Sequence, residues 1–341
     1  MIYQFMRLMV FYALPVCAAA QIPGPDAPFG FGSPLRYVSP AAPLTGGYNS
    51  HVDAADFDGD GDLDLVMHSA LGGGANNTFW GVHIYEAIPQ SSHNALPVFA
   101  APRKVFSIDK PALACDWDQD GAPDLIIDKK WHRNLGGVLF AEGEPIPRFP
   151  DNVKLILDWD DDGLPDLLTG EKLPGDFWPT ASVWRNGESP YTEDGIWKGG
   201  PLRGSLRLHR GVKTQNELSW EDGGLLQAGG VDLEVYGEAH PAAADWDGDG
   251  DLDLLVGGHF NLTYFENIGA SDNPRLAYQR PVSAGGHTSL RGIYIRPIVY
   301  PQDHSSAPGV LIAQESGQIG WLAFIGLDDD HAPQFEREEI V

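Results

Sequence analysis

Aspartates recur at a fixed spacing in four segments of the chain, which begin at Asp56, Asp116, Asp158 and Asp245. Each segment has the pattern D-x-D-x-D-G-x-x-D. Three carboxylates on alternate residues, followed at position six by a glycine that permits a sharp turn, can converge on one hard cation. Ca²⁺ accepts about six to eight oxygen ligands in a flexible geometry. The carboxylates of positions one, three, five and nine, with the carbonyl of position seven, nearly complete that shell.

The same pattern has other interpretations. Mg²⁺ is the weaker candidate because its small octahedron usually retains several waters. Repeated Asp-Gly pairs can also be simple hairpin turns on a solvated face, but four complete copies favour a metal function. These segments are not EF-hands, since the Glu that an EF-hand needs at position twelve is replaced by Met67, Ile127, Thr169 and Val256.

The sequence therefore predicts about four structural Ca²⁺ ions, one for each loop. The predicted metal residues are the aspartates of the four segments: Asp56, Asp58, Asp60, Asp62, Asp64, Asp116, Asp118, Asp120, Asp124, Asp158, Asp160, Asp162, Asp166, Asp245, Asp247, Asp249, Asp251 and Asp253.

Each acidic segment lies between two short apolar runs, which predicts a repeating unit of strand, loop and strand. The segments start 60, 42 and 87 residues apart. The shortest interval approaches the roughly 40 to 45 residues of a four-stranded propeller blade, and the longer ones require insertions. Residues 307–312 align with 122–127, so a fifth unit has Pro301, Asp303 and Gly309 at loop positions one, three and nine. This unit is expected to keep its strands without the metal ligands.

We therefore predict an all-β fold for residues 21–341, a β-propeller of four-stranded antiparallel blades with five visible units. A ring of up to seven blades, or an open or truncated ring, remain alternatives. Segments 34–38, 97–99, 217–220, 274–278 and 333–335 are predicted to be fourth strands. The aromatic residues at loop position two are predicted to pack between neighbouring blades: Phe57, Trp117, Trp159 and Trp246.

The motif of residues 243–257, AADWDGDGDLDLLVG, resembles that of FG-GAP/VCBS repeat proteins. The resemblance covers roughly residues 30 to 341. In that family, as in the related head of integrin α-subunits, such loops bind structural Ca²⁺ on one face of a β-propeller. The resemblance thus implies that the loop aspartates are calcium ligands, and it says little about activity, because fold does not imply function.

The chain is strongly acidic, with 48 Asp and Glu against 22 Lys and Arg and a formal charge of −26. Such a surface repels phosphate backbones, so nucleic acid is excluded as an expected partner. A monomer is expected. Of its 341 residues 43% are hydrophobic, which is enough for a sizeable core.

Residues 1–20 have the pattern of a secretory signal peptide: Arg7, an apolar run and three alanines before Gln21. This predicts a secreted, periplasmic or cell-surface protein that is not inserted in the membrane after cleavage. A lipoprotein attached through Cys17 is the less favoured alternative. The mature chain would keep only Cys115, so that calcium would take over the stabilising role of disulfides.

If the acidic loops join the first and second strands, the connections from second to third strand lie on the opposite face, where we expect ligand specificity. Two of these connections, 72–80 and 174–200, are enlarged; the first contains Trp80 and the second contains Trp178, Trp184 and Trp197. Their aromatic rings suit a sugar ring or a protein hot spot, or they pack into a local cluster. The candidate ligand-face residues are His68, Trp80, Lys129, Lys130, Glu171, Lys172, Trp178, Trp184, Trp197 and His259.

The favoured function is a binding or adhesion module for a glycan or protein ligand, without catalytic residues. The alternative is a carbohydrate-active enzyme of the polysaccharide lyase or sugar dehydratase type. In that case Lys129, Lys130, Lys172 and His259 would supply a base and a cation on the face opposite the calcium loops.

Overall fold

The computed structural model describes residues 44, 51–69, 81–89, 96–172, 189, 191, 193–194, 198, 203–214, 217–277, 280–290, 292, 294–301, 308–315, 317–336 and 339–341. All of them lie in the unit Tyr37–Val341. The predicted signal peptide and Cys17 lie outside the described residues, as do Trp80, Trp178, Trp184 and Trp197. No helix in the described part of the chain has the length and apolar character of a membrane span.

The described residues form five blades, each an antiparallel sheet whose strands pair mostly in chain order. Blade 1 consists of β1 (His51–Ala55), β2 (Asp64–Ser69), β3 (Gly81–Tyr85) and β4 (Arg103–Phe106). Blade 2 consists of β5 (Ala112–Cys115), β6 (Asp124–Ile127), β7 (Lys130–His132) and β8 (Glu144–Pro145).

Blade 3 has the longest strands: β9 (Val153–Leu157), β10 (Asp166–Lys172), β11 (Arg203–Thr214) and β12 (Glu217–Leu225). A small hairpin of β13 (Gln227–Ala228) and β14 (Val231–Asp232) follows, and β15 (Glu234–Tyr236) pairs with β11. The β11–β12 hairpin extends blade 3 on the side of the acidic loop.

Blade 4 consists of β16 (His240–Ala244), β17 (Asp253–Gly257), β18 (Leu262–Phe265) and β19 (Arg280–Pro281), and β20 (Ser283–Ala284) follows it. Blade 5 contains β21 (Arg296–Tyr300), β22 (Gly309–Ala313) and β23 (Ile319–Leu322), with β26 (Glu339–Ile340) as its outer strand. Two strands lie between β23 and β26 in the sequence, β24 (Phe324–Leu327) and β25 (Pro333–Phe335). They form a separate sheet with β20.

The second strand of each blade is covered on both faces. Leu65, Leu125, Leu254 and Val310, one in each of four blades, are completely buried, and so are several of their neighbours. A strand whose two faces both meet apolar neighbours has a continuous hydrophobic sequence rather than an alternating one. This explains the apolar run that follows each loop.

The blades close into a five-membered ring through the apolar clusters between them. The position-two aromatics lie in the first four clusters, which confirms their predicted packing role: Phe57 between blades 1 and 2, Trp117 between 2 and 3, Trp159 between 3 and 4, and Trp246 between 4 and 5. A fifth cluster joins Leu65 and Met67 of blade 1 to Leu311 and Trp321 of blade 5. The inner strands β1 and β21 are also in contact, so the described ring is closed with five blades.

The fourth strands differ in part from the prediction. Segment 217–220 is the start of β12, as predicted. In segment 274–278 the described residues 274–277 are not a strand: Leu276 makes isolated bridges, and the outer strand β19 contains Arg280 and Pro281. Segment 97–99 is wrong as well, since Phe99 makes an isolated bridge and β4 is the outer strand of blade 1, while segment 34–38 lies outside the described residues. Segment 333–335 is a strand, β25, but it pairs with β24 and β20, and the chain returns to blade 5 a few residues later as β26. In the segments 274–277 and 333–335 the apolar residues Leu276 and Phe335 are buried in core clusters before the chain reaches the outer strand of the blade, so these segments resemble that strand in sequence.

In blade 5 the packing of a tryptophan replaces the position-nine aspartate of the acidic loops. In blades 2 and 4 the position-nine aspartate bonds to a ring on the third strand, Trp131 or Tyr264. Trp321 occupies the corresponding position of β23, and a Cβ on Gly309 would overlap its indole. The indole thus fills the space of a position-nine side chain, and an apolar contact replaces a buried hydrogen-bonded carboxylate.

This packing predicts a specific coupling between two residues. Gly309→Ala should destabilise the fold by about 1–3 kcal/mol, because an overpacked core must shift backbone or rotamers. In a Trp321→Leu background the same substitution should cost clearly less, since the smaller side chain leaves room. Urea denaturation of the two single variants and the double variant measures the coupling. Strictly additive costs would show that the two residues do not share this space.

Candidate functional site

The four acidic loops fold alike, with the first and sixth residues setting the turn. The position-six glycines have positive φ angles, +96° at Gly61, +89° at Gly121, +81° at Gly163 and +97° at Gly250. In each loop the position-one carboxylate accepts a hydrogen bond from the amide of that glycine, at 2.9 Å from Asp56, Asp116 and Asp158 and 3.1 Å from Asp245. A residue with a side chain at position six would be strained, which accounts for the repeated Gly.

The position-nine aspartates tie each loop to the blade behind it. Asp64, Asp124, Asp166 and Asp253 are at most 1% exposed. In every loop one oxygen accepts from the amide of the position-two aromatic. The other accepts from an amide within the third strand in blade 3 and from an amide two residues beyond that strand in the other three blades. Burial raises the pKa of Asp64 and Asp166 to about 6 and that of Asp253 to about 7, while these N–H donors act in the opposite direction.

The carboxylates of positions one, three and nine converge in all four loops. In each trio one oxygen from every residue lies within 4.8 Å of the others: Asp56, Asp58 and Asp64; Asp116, Asp118 and Asp124; Asp158, Asp160 and Asp166; Asp245, Asp247 and Asp253. The position-five residues Asp60, Asp120, Asp162 and Asp249 are not part of these trios; each accepts a hydrogen bond from the amide two residues on.

Turn formation accounts for positions one, five and nine, but it leaves buried oxygens without a donor. Asp118 Oδ1 and Asp160 Oδ1, both at position three, have no hydrogen-bond partner. The same holds for Oδ1 of Asp251, at position seven of the fourth loop, whose side chain is only 8% exposed. Buried carboxylate oxygens without partners are costly. The donor set therefore fits a hard cation, which would satisfy these oxygens together with the converging trio.

The loops fall into two electrostatic classes. The position-nine aspartate accepts a hydrogen bond from an amide on the third-strand side, and the residue just before that amide differs between blades. It is Glu86 in blade 1 and Glu266 in blade 4, but Arg133 in blade 2 and Arg210 in blade 3. Arg133 pairs with Asp118 at 2.9 Å and with Asp120 at 2.7 Å. The nearby charge of Arg210 opposes the rise that burial causes in the pKa of Asp160. The second and third loops thus contain a cation of the chain itself. Loops one and four have a further carboxylate beside them, which pairs with Arg103 at 3.9 Å in blade 1 and with Arg280 at 3.4 Å in blade 4.

The predicted ligand-face residues that the structure describes lie at the ends of the blades opposite the acidic loops, because the antiparallel pairing puts consecutive connections at opposite ends. They are distributed over four blades and several are already engaged. His68 is 4% exposed and bonds to Asp109 at 3.1 Å, and His259 is 2% exposed. Lys129 lies in the tight turn before β7 and pairs with Asp151 at 2.6 Å. Lys130 begins β7, Glu171 bonds to Arg207, and Lys172 ends β10.

Sequence reasoning missed a cleft between blades 2 and 3. Trp117, Trp131 and Trp220 line it, all half-buried, and we call it the tryptophan cleft. Its volume is about 830 Å³. The Trp117 and Trp220 rings are 5.9 Å apart between centroids, and the indole N–H groups of Trp131 and Trp220 bond to Asp124 and to the Pro165 carbonyl. The charged and amide side chains around it are Asp118, Gln119, Glu144, Arg148, Lys213 and Glu217.

No family model and no curated protein matches the chain. Solved structures match the chain only distantly. An Agrocybe aegerita lectin that recognises non-reducing terminal N-acetylglucosamine is 12% identical over 86% of this chain and 80% of its own, with a TM-score of 0.41. BBS1N, in complex with ARL6DN, is 12% identical over 88% and 84%, with a TM-score of 0.34. Both TM-scores are low, so the propeller assignment rests on the sheets and their packing.

The position-nine hydrogen bonds predict a stabilising role that does not need metal. Asp253→Asn should lower the free energy of unfolding in EDTA by about 1–3 kcal/mol, because the new amide group would face donors instead of accepting from them. Asp249→Asn, at the exposed position five, is the matched control and should change it by less than about 0.5 kcal/mol. Equal losses for the two variants in urea denaturation would contradict the assigned role.

Proposed function

We propose that this chain is a secreted, calcium-stabilised β-propeller that binds carbohydrate in the tryptophan cleft. The observation that carries the binding proposal is the presence of three half-exposed tryptophans from two blades in one open cleft. Export is part of the proposal because residues 1–20 have the signal-peptide pattern described above. A protein ligand is the competing outcome, and the experiment below separates the two.

Sugar binding suits the chemistry of the tryptophan cleft. Indole rings offer flat apolar faces that pack on the C–H face of a pyranose ring, while polar groups at the rim bond to its hydroxyls. The rim has both kinds of partner, with the carboxylates of Asp118, Glu144 and Glu217 and the cations of Arg148 and Lys213. Since the charges are mixed and nearly balanced, we favour a neutral sugar over an acidic one.

Calcium is proposed for the acidic loops on the basis of the converging trios and the donorless oxygens. The residues that would hold it are the aspartates of positions one, three and nine, with Asp251 added in the fourth loop. A bound cation would neutralise carboxylates that otherwise repel one another. Asp118 and Gln119 belong both to the second loop and to the cleft, so an ion there would also order one edge of the sugar site.

The enzymatic alternative receives no such support from the described residues. Lys129 and Lys130 lie on blade 2, Lys172 on blade 3 and His259 on blade 4. His259 is buried among aromatic rings, with Tyr294 at 4.6 Å and Tyr236 at 5.5 Å between centroids. The proposed function is therefore binding without chemistry.

Binding should depend on the cleft and not on the long loops of the opposite face. We expect the chain, in millimolar Ca²⁺, to retain a neutral oligosaccharide on a glycan array. Trp131→Ala should weaken its affinity by about tenfold or more, as loss of a central aromatic contact does. The matched control is Tyr191→Ala, an exposed aromatic residue within the 174–200 connection, which should bind like wild type.

Two results would overturn this assignment. If Tyr191→Ala loses binding while Trp131→Ala retains it, the ligand site lies on the opposite face. If no glycan is retained but a protein partner binds and Trp131→Ala abolishes that complex, the cleft is a protein interface. Circular dichroism and thermal unfolding of each variant check that the fold is intact.

Arg133 should compete with calcium in the second loop. We expect Ca²⁺ to raise the melting temperature of wild type by several degrees over EDTA, because an ion that binds only the folded state stabilises it by mass action. The rise should be larger for Arg133→Gln, since the variant loses its built-in cation. Arg203→Gln, which pairs with Glu234 far from the loops, is the control. An equal rise in all three would disprove the competition, and no rise in wild type would disprove the calcium sites.

A further inference from the structure

Gln119 occupies position four of the second acidic loop, where the backbone is left-handed in all four loops. The φ angles at this position are +81° at Gly59, +59° at Gln119, +55° at Asp161 and +82° at Gly248. Glycine adopts this region freely, and Asp is among the residues that accept it more readily than most. Gln belongs to neither group, so the second loop holds a strained residue where two other loops have glycine. Such strain is concentrated at functional sites.

The Gln119 side chain reaches the neighbouring loop. Its Nε2 donates to the carbonyl of Gly163, at position six of the third loop, at 3.2 Å. A side-chain amide has two N–H donors and one carbonyl oxygen that accepts. The bond to Gly163 uses one donor, and Gln119 makes no other side-chain hydrogen bond within the described part of the chain. One N–H and the carbonyl oxygen therefore remain for a ligand.

The Gln119 amide belongs to the tryptophan cleft. Gln119 is exposed and lines the cleft together with Pro165 of the third loop. The Trp220 indole N–H bonds to the Pro165 carbonyl at 3.0 Å, so the indole and the amide are both anchored to residues 163–165. Gln119 also follows Trp117 by two residues in the same loop. The free half of the amide is thus held beside the aromatic rings.

The tryptophans supply rings to a ligand, but two of their polar groups are already engaged. The indole N–H groups of Trp131 and Trp220 are both bonded within the chain. The Asp118 carboxylate, also in the cleft, pairs with Arg133 at 2.9 Å. A sugar whose C–H face packs on the rings therefore needs other side chains for its hydroxyl groups. Among the described residues of the lining, Gln119 is the only amide side chain, and it offers a donor and an acceptor without a charge.

We propose that Gln119, in a cleft that binds carbohydrate as proposed above, selects neutral sugars that present two free hydroxyl groups on adjacent ring carbons. The free N–H of the amide donates to one hydroxyl and the carbonyl oxygen accepts from the other, because the two groups of an amide lie side by side in one plane. A sugar that lacks either hydroxyl leaves half of the amide without its partner. Loss of that bond discriminates against such a sugar.

Gln119→Gly tests this role, and Asp161→Gly is the matched control. Both changes put glycine at the same left-handed loop position, where Gly59 and Gly248 already stand in two other loops. In millimolar Ca²⁺ we expect Gln119→Gly to melt close to wild type, because relief of backbone strain offsets the loss of an exposed hydrogen bond. Its affinity for the neutral oligosaccharides that wild type retains should fall about tenfold or more. Asp161→Gly, which does not line the cleft, should bind like wild type.

A change in the sugar provides the second arm of the test. The probe is a glycan array that carries each neutral oligosaccharide in its native form and as derivatives with one ring hydroxyl replaced by hydrogen. Wild type should bind the native sugar about tenfold or more tightly than the derivatives that lack either hydroxyl of the contacted pair. Gln119→Gly should bind those derivatives and the native sugar equally, since the partner amide is gone. The comparison is a double-mutant cycle between a side chain and a ligand group.

Two results would overturn the role of Gln119. If Gln119→Gly binds like wild type, the amide does not contact the sugar. If the variant melts lower than wild type and still distinguishes the same derivatives from the native sugar, Gln119 only connects the two loops. Failure of the proposed function differs from both, because wild type then retains no glycan or Trp131→Ala retains the same glycans. If Trp131→Ala loses the glycans while Gln119→Gly keeps them, only the role of Gln119 is wrong.

Discussion

The buried aspartate at loop position nine is the interaction on which the blades depend. A carboxylate that is almost completely buried persists only when it is hydrogen-bonded. Here two backbone amides meet that need, one from the loop's second residue and one from the third strand or the residues just after it. The bonds fix the second residue, whose aromatic side chain then packs against the next blade. One polar contact thus couples the loop, its own sheet and the interface between neighbours.

The same contact explains how the ring tolerates its irregular member. In blade 5 position nine is Gly309, and the indole of Trp321 fills the space that a side chain would need. Position two of that unit is Gln302, which lies outside the described residues, but Tyr300 reaches blade 1 and donates its hydroxyl to the Leu63 carbonyl at 2.8 Å. An apolar substitute for a buried polar group can be as stable when it is well packed. Ring closure therefore required no fifth acidic loop.

Most of what could be predicted from the sequence came from local residue patterns. Loop spacing defined the strand, turn and strand unit, because the first and sixth loop residues interact within a few positions. Position two was assigned to packing from its repetition alone. The outer strands were less predictable, since short edge segments such as Arg280–Pro281 have little sequence signal. The tryptophan cleft brings together Trp131 and Trp220 from different blades, and it depends on the length of the β11–β12 hairpin, which no local pattern encodes.

The residues that line the cavity between the five inner strands are also far apart in the sequence, but the repeat pattern indicates that they lie close together. When the five units are aligned on loop position one, His51, Pro111, Val153, His240 and Arg296 fall in one column five residues earlier. In a propeller such a column becomes a ring around the axis, so side chains that seem isolated along the chain become neighbours. The two ends of the inner strands then differ in charge: carboxylates follow each strand in four blades, while histidines and buried cations gather where the strands begin. The two ends of the ring therefore differ in the side chains that they offer, with clustered carboxylates at one end and basic side chains at the other.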